Sequence, residues 1–174
     1  KANKDIWSST ETTLPEGTTK QDFDKESVLS RFVHQLKSSG INTNNTLIPD
    51  FSWSPSDISQ IKNYYQLDKY ILLFPFCSPH LTSKKWPYYN DLISMVNEKS
   101  DKELKVVIAP GPDEIKEASN INALCVLDNG EALNISQLAA LIKDSLFVVA
   151  NDTGPAHMTA HLGSKGVALF GSHT

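Results

Sequence analysis

The sequence predicts a doubly wound α/β domain built on a parallel sheet, and two observations carry that expectation. Five short apolar runs, "YILLFP", "KVVIAP", "ALCVLD", "LFVVAN" and "GVALFG", recur after Tyr65. Continuous apolar runs of this length are how strands buried on both faces of a parallel sheet read in a sequence. Amphipathic segments separate the runs, and strand–helix alternation at this spacing gives parallel strands joined by right-handed crossovers.

The elements follow in order. Residues 8–19 are rich in Ser and Thr and broken by Pro15 and Gly17, a loop composition. "DKESVLSRFVHQLKSSG" sets Val28, Leu29, Phe32, Val33 and Leu36 on one face of a helix that stops at Gly40, a natural C-cap. "INTNNTLIPDFSWSPSD" reads as a linker leading to a helical start at Ser56-Asp57, where both side chains can cap. No strand pattern before Tyr65 is strong enough to build a sheet. The expected organisation is therefore a helical and linker segment over 1–65 and a sheet domain over 66–174. Within the sheet domain, helices are expected over 87–99, 113–120, 135–143 and 155–162. The third is best defined, because Leu138, Leu141 and Ile142 share a stripe.

Composition narrows the function classes. The 174 residues suit one domain, or one domain and part of another. A hydrophobic content of 40% with 21% charged residues is ordinary for a globular protein. The formal charge of −4 argues against a general nucleic-acid binder, whose footprint is basic. Cys77 and Cys125 are too few for a disulfide framework and point to a reducing, cytoplasmic setting. No apolar run approaches the ~20 residues that span a bilayer. The amino terminus lacks an initiator Met and an apolar signal core, and reads as the interior of a longer chain.

Parallel α/β sheets bind ligands beyond the carboxyl ends of their strands. That directs attention to "PFCSPHLTSKKWP", "PGPDE", "DNGEALN" and "NDTGPAH", all but the third of which concentrate polar and breaker residues. In the last of them Thr153 suits the N-cap, its hydroxyl satisfying one free amide of the first turn. Gly154 lets a ligand approach the backbone closely, and Pro155 suits the first helical turn, where its missing N–H is not needed. Together they offer a helix N-terminus, with unpaired amides and partial positive charge, to a phosphate. Asp152 would repel a phosphate at close range, so it braces the loop amides or meets ribose or sugar hydroxyls. His157 can donate to a phosphate oxygen. A plain capping turn, with His157 packed between helix and sheet, accounts for the same residues.

Other chemistries find no support. His157 and His161 have H-x-x-x-H spacing, but Met158 stands where a metalloprotease places its glutamate, and no third ligand is evident. No metal site is expected. Dinucleotide G-x-G-x-x-G, P-loop and nucleophile-elbow motifs are all missing from the sequence.

Taken in order, "LLFPFCS…SKKWP", "VVIAPGPDE" and "LNISQLAALIKDSLFVVANDTGPAHMTAHLGSKGVALFG" resemble glycosyltransferase family 9, the ADP-heptose:lipopolysaccharide heptosyltransferases. The resemblance runs over residues 69–171. It implies a GT-B architecture of two Rossmann-like domains facing across a cleft, with this chain similar to the C-terminal, donor-binding half. The helical piece at 24–39 then resembles the end of the acceptor domain. By the same resemblance Lys84 contacts donor phosphate, Glu114 contacts the nucleoside and Leu133 lies against adenine. Asp152, Thr153, Gly154, Pro155 and His157 match the central donor motif. Lys85 is expected to be the more exposed lysine; Asp113 competes with Glu114, and a core position competes for Leu133. The family tends to carry Pro-Gly-Ala-Ser after the first strand, whereas this chain has Pro75-Phe76-Cys77-Ser78. Phe76 either narrows the approach to the phosphates or points into the interdomain cleft, while Ser78 keeps a hydroxyl available. "FGSHT" stands in place of Phe-Gly-Pro-Thr.

The functional expectation is binding of a nucleotide-diphosphate sugar, ADP-heptose above others, for inverting transfer to a glycolipid or oligosaccharide acceptor of the lipopolysaccharide-core type. No cofactor is required, no nucleic acid is involved, and membrane contact is peripheral at most. Inverting transfer needs a base to take the acceptor proton. The family places it in a glycine-rich loop of the N-terminal domain, which residues before Tyr65 do not offer, so no catalytic residue is expected within this chain. Two other classes compete: a non-catalytic nucleotide-binding module, and a UDP-sugar epimerase-like protein sharing the architecture by analogy.

Overall fold

The computed structural model describes residues 27–38, 40–45, 50–100 and 103–171. The Ser/Thr-rich stretch 8–19 and the terminal Ser172, His173 and Thr174 lie outside the described residues. The chain divides into two units, Lys1–Pro49 and Asp50–Thr174.

In the first unit, α1 (Val28–Ser38) forms where the apolar stripe predicts it. Gly40 adopts φ 72. Its N–H reaches Lys37 O at 2.9 Å, and the Ile41 N–H reaches Leu36 O at 3.0 Å, so the last carbonyls of the helix are capped by a left-handed glycine. Val28, Leu29 and Phe32 remain more than half exposed.

The second unit contains α2 (Ser59–Tyr65), β1 (Lys69–Phe74), α3 (Tyr89–Lys99), β2 (Leu104–Ile108), α4 (Ile115–Ala118), β3 (Leu124–Cys125), α5 (Ile135–Asp144), β4 (Phe147–Asn151), α6 (Gly154–His161) and β5 (Gly166–Leu169). The five strands form one sheet in the order β3-β2-β1-β4-β5, and every pairing is parallel. Alternate residues of β1, β2 and β4 enter different cores. Tyr70, Leu72 and Phe74 of β1 join Val107, Val148 and Ala150 beneath α2 and α5. Leu73 joins Val106, Ile108 and Val149 against Tyr89 and Ile93 of α3 and Ala118 of α4. Burial on both faces is why the strands read as unbroken apolar runs. Each fully buried aliphatic side chain contributes ~1.5–3 kcal/mol.

Several boundaries differ from the sequence expectation. The compact unit starts at Asp50, earlier than a boundary at 65/66. Ile58 and Ile61 are buried in the same core as β1 and α5, so α2 belongs to the sheet unit. Its polar, Pro- and Ser-rich approach masks that packing in the sequence. The helix begins at Ser59, whose N–H bonds Asp57 Oδ1 at 2.8 Å. Pro87 precedes α3 instead of starting it. The segment 113–120 opens with a 3₁₀ turn, Pro112–Glu114, before the short α4. Close approach decides Gly166: a Cβ there would stand 2.7 Å from Val148 O and 3.2 Å from Thr159 Cγ2.

The crossovers through α3 and α4 pack on one face of the sheet, while α5 and α6 contribute to the other. The winding therefore reverses between the neighbouring strands β1 and β4. A reversal of this kind leaves a crevice at the strands' carboxyl ends.

Candidate functional site

A cavity of about 280 Å³ opens at that crevice. The chain leaving β1 contributes Phe76, Cys77 and Ser78; the chain leaving β2 contributes Gly111 and Glu114. Leu133 lies just before α5, and Thr153, Gly154 and Pro155 form the start of α6. Six of the nine expected site residues thus line one cavity: Ser78, Glu114, Leu133, Thr153, Gly154 and Pro155. The other three, Lys84, Asp152 and His157, cluster beside it. Lys84 Nζ lies 2.5 Å from Asp152 Oδ2, and His157 Nε2 lies 3.9 Å from Asp152 Oδ1.

Local chemistry explains each placement. Ser78 ends the extended segment after β1, and its carbonyl accepts from Leu81 N–H at 2.8 Å, starting the 3₁₀ turn Pro79–Lys84. That turn delivers Lys84 to Asp152, while Lys85 pairs with Glu117 and is the more exposed of the two. Cys77 donates to Leu81 O at 3.1 Å. Burial pushes its thiol up, with Lys85 partly opposing, so Cys77 is a neutral wall of the cavity. Phe76 is buried among Leu73, Tyr89, Ile93 and Ile108. Its bulk goes into that core, and it also lines the cavity.

Glu114 Oε2 accepts from Gly111 N–H at 2.8 Å, closing the turn after β2 and fixing the carboxylate at the cavity edge. Asp113 is exposed and does not line the cavity. Leu133 packs against the core beneath α5 and also lines the cavity.

The start of α6 departs from expectation in one respect. The Thr153 hydroxyl does not cap the helix: Oγ1 donates to Asn151 O at 3.2 Å, and the α6 N-terminus has no side-chain cap. Thr153 is extended, at φ −145, which turns its side chain back along the strand. In the first turn Ala156 N–H bonds Thr153 O at 3.0 Å and Pro155 has no N–H, so the Gly154 amide is the one left for a ligand at a helix N-terminus, which attracts anions. A Cβ on Gly154 would meet nothing within 4 Å, so open space lies over that backbone. His157 is 71% exposed and is not packed between helix and sheet.

Asn151 is the residue that sequence reasoning passed over. It is fully buried at the end of β4. Its Nδ2 donates to Pro75 O at 3.0 Å, and its Oδ1 accepts from Tyr89 O–H and Trp86 N–H at 3.2 and 3.3 Å. The available signal was a single amide closing an apolar run.

Larger clefts of about 540 and 360 Å³ flank Tyr64 and Tyr65. The first lies at the amino ends of β2 and β3, lined by Leu104 and Leu124, away from the ends where parallel sheets bind ligands. His161 meets the ring of Phe51, with centroids 5.1 Å apart, so the two histidines of the H-x-x-x-H spacing have different surroundings. Among the described residues, no group of three or more His, Cys, Asp or Glu side chains is placed to hold a metal ion.

Comparison with known proteins gives the family and the fold. The model of glycosyltransferase family 9 (heptosyltransferase) matches residues 16–174. The chain belongs to glycosyltransferase family 9. Solved structures agree on the fold. A glycosyl transferase family 9 protein from Veillonella parvula DSM 2008 superposes with a TM-score of 0.65 at 18% identity, covering 90% of this chain and 47% of that one. E. coli ADP-heptose lps heptosyltransferase II gives 0.57 at 19% identity, covering 81% and 47%. The E. coli heptosyltransferase WaaC with ADP-2-deoxy-2-fluoro heptose gives 0.51 at 18%, covering 86% and 47%. The chain thus spans about half the length of these family 9 structures. No curated protein resembles it closely enough to count as a match.

Proposed function

We propose that this chain is the donor-binding half of a heptosyltransferase-type enzyme and holds an ADP-sugar. The diphosphate rests on the amino terminus of α6, and the base lies between Glu114 and Leu133. One observation carries the reading: an uncapped helix start, an apolar wall and a fixed carboxylate meet in a single cavity at the sheet's switch point. The Gly154 amide suits a phosphate oxygen, the wall suits a base, and Lys84 stands beside them as the cation. The family, and the ADP-2-deoxy-2-fluoro heptose named with the E. coli structure, make an ADP-sugar the ligand to test first.

Both carboxylates at the site are engaged, Glu114 with the Gly111 amide and Asp152 with Lys84. As the family resemblance implies, the base that inverting transfer needs is assigned to the N-terminal domain, outside this chain. The acceptor, a glycolipid or oligosaccharide of lipopolysaccharide-core type, is assigned there too. The segment around α1 is read as the end of that acceptor domain. No cofactor enters the proposed reaction, and the location proposed is cytoplasmic with at most peripheral membrane contact. Among the described residues no helix is long and apolar enough to cross a membrane.

The test is a calorimetric titration of ADP, UDP and GDP against wild type and Glu114→Gln. ADP is expected to bind most tightly. If Glu114 reads the adenine amino group, the preference for ADP shrinks in the variant; if it reads ribose, all three weaken alike. A wild-type preference for UDP would overturn the ADP-sugar reading in favour of an epimerase-like ligand. Absence of any diphosphate binding would remove the site.

A further inference from the structure

We infer that Asn151 is the positioning residue of this site: its side chain clamps the chain leaving β1 to the chain leaving β4 and sets the spacing of the cavity's two walls. The inference rests on the donor-site reading above and adds to it a residue that does not line the cavity.

The geometry is that of a two-sided tie. Asn151 is 0% exposed. Its amide nitrogen donates to Pro75 O at 3.0 Å and lies 3.5 Å from Phe76 O, the two carbonyls that lead into Cys77 and Ser78. Its amide oxygen accepts from the backbone N–H of Trp86 at 3.3 Å and the hydroxyl of Tyr89 at 3.2 Å, which anchors the far end of the same connection. Its own carbonyl is held by Thr153 Oγ1 at 3.2 Å, and the next amide, Asp152 N–H, bonds Leu169 O at 3.1 Å. One buried residue therefore sets both the Phe76–Ser78 wall and the direction in which Asp152, Thr153 and Gly154 leave the sheet. Tyr89 completes the tie: its hydroxyl is buried and also lies 3.2 Å from Phe74 O.

Only a planar group with donors on one side and an acceptor on the other satisfies all these partners. Aspartate at 151 would be isosteric but, when ionised, would turn an oxygen towards the Pro75 and Phe76 carbonyls. When protonated, its O–H could donate to Pro75 O again. Burial favours that neutral form, so the defect of the variant grows as pH rises and shrinks as pH falls.

The experiment measures ADP affinity by calorimetry for wild type, Asn151→Asp and the milder Tyr89→Phe from pH 5.5 to 8, with adenosine as the second ligand. Thermal melting reports folding at each pH. The expected result for Asn151→Asp is at least a tenfold loss of ADP affinity at pH 8 relative to wild type. That ratio falls towards one at pH 5.5, and adenosine loses less throughout. Tyr89→Phe is expected to weaken ADP a fewfold with no pH-dependent ratio. If both variants melt lower yet bind ADP like wild type while folded, Asn151 is ordinary core and the inference is overturned. A loss for Asn151→Asp that is equal for both ligands and independent of pH overturns it as well. Should wild type itself fail to bind ADP, the donor-site reading falls, and amide hydrogen exchange then decides the clamp separately. Asn151→Asp must speed exchange in both Phe76–Ser78 and Thr153–Ala156, and faster exchange in one segment alone sinks the clamp.

Discussion

Lys84 Nζ and Asp152 Oδ2 stand 2.5 Å apart, in a pair whose side chains are only 22% and 13% exposed. The cation assigned to the donor phosphate is thus already matched to a carboxylate at the cavity's edge. On the proposed donor-site reading, a phosphate group on α6 would compete with Asp152 for Lys84, and strongly, because little water screens the pair.

Lys84→Ala is expected to weaken ADP by tenfold to hundredfold, since charge-assisted hydrogen bonds contribute about 1.5–3 kcal/mol. Adenosine should change little, because it carries no phosphate. The variant also leaves Asp152 without its cation, so the double variant Lys84→Ala/Asp152→Asn should recover part of the ADP affinity. Calorimetry with both ligands checks this, and equal losses for ADP and adenosine would assign Lys84 a structural role instead.

Gly154→Val places a branched side chain over the open backbone at the start of α6. Nothing lies within 4 Å of the new Cβ, and valine at a helix position costs only about half a kcal/mol. The circular dichroism spectrum and melting temperature should stay near wild type while ADP binding disappears. A folded variant with unchanged affinity would move the diphosphate elsewhere.

Gly166→Ala has the opposite signature. Its Cβ would sit 2.7 Å from Val148 O and 3.1 Å from Val148 Cβ, so β5 must shift away from β4. Overpacking of this kind costs about 1–3 kcal/mol, to be read from urea denaturation. A change below about 0.5 kcal/mol would mean that the edge strand yields freely.

Alkali should unfold the sheet unit from within. Burial pushes the phenols of Tyr70 and Tyr89 above their ordinary value of 10.0, with Asp144 adding to the effect at Tyr70. Each native phenol keeps its proton where the unfolded chain loses it. The resulting stability is complete below pH ~10 and falls above it by about 1.4 kcal/mol per pH unit for each group. Phenolate absorbance from these two residues is expected to appear together with the loss of circular dichroism. Their ionisation in a protein that keeps its full spectrum would contradict the burial argument.

The sequence by itself determined the class of fold and pointed to the end of the sheet where the candidate site lies. β4 lies wholly within "LFVVAN", and β1 lies within "YILLFP" apart from Lys69, because strands covered on both faces must be apolar at successive positions. The start of α6 was legible because Gly154 and Pro155 punctuate the chain locally. Both signals are carried by neighbours a few residues apart.

Only the tertiary structure decided where each polar group found its partner. Thr153 looked like a cap yet donates to Asn151 O. The approach to α2 looked like a linker, yet Ile58 and Ile61 close the core. Lys84 meets Asp152 across 68 positions, and Asn151 meets Pro75 across 76. A side chain's period along the chain follows from local geometry, but the partner of a buried amide or carboxylate depends on which distant segment the sheet brings beside it, and desolvation requires that a partner be found there.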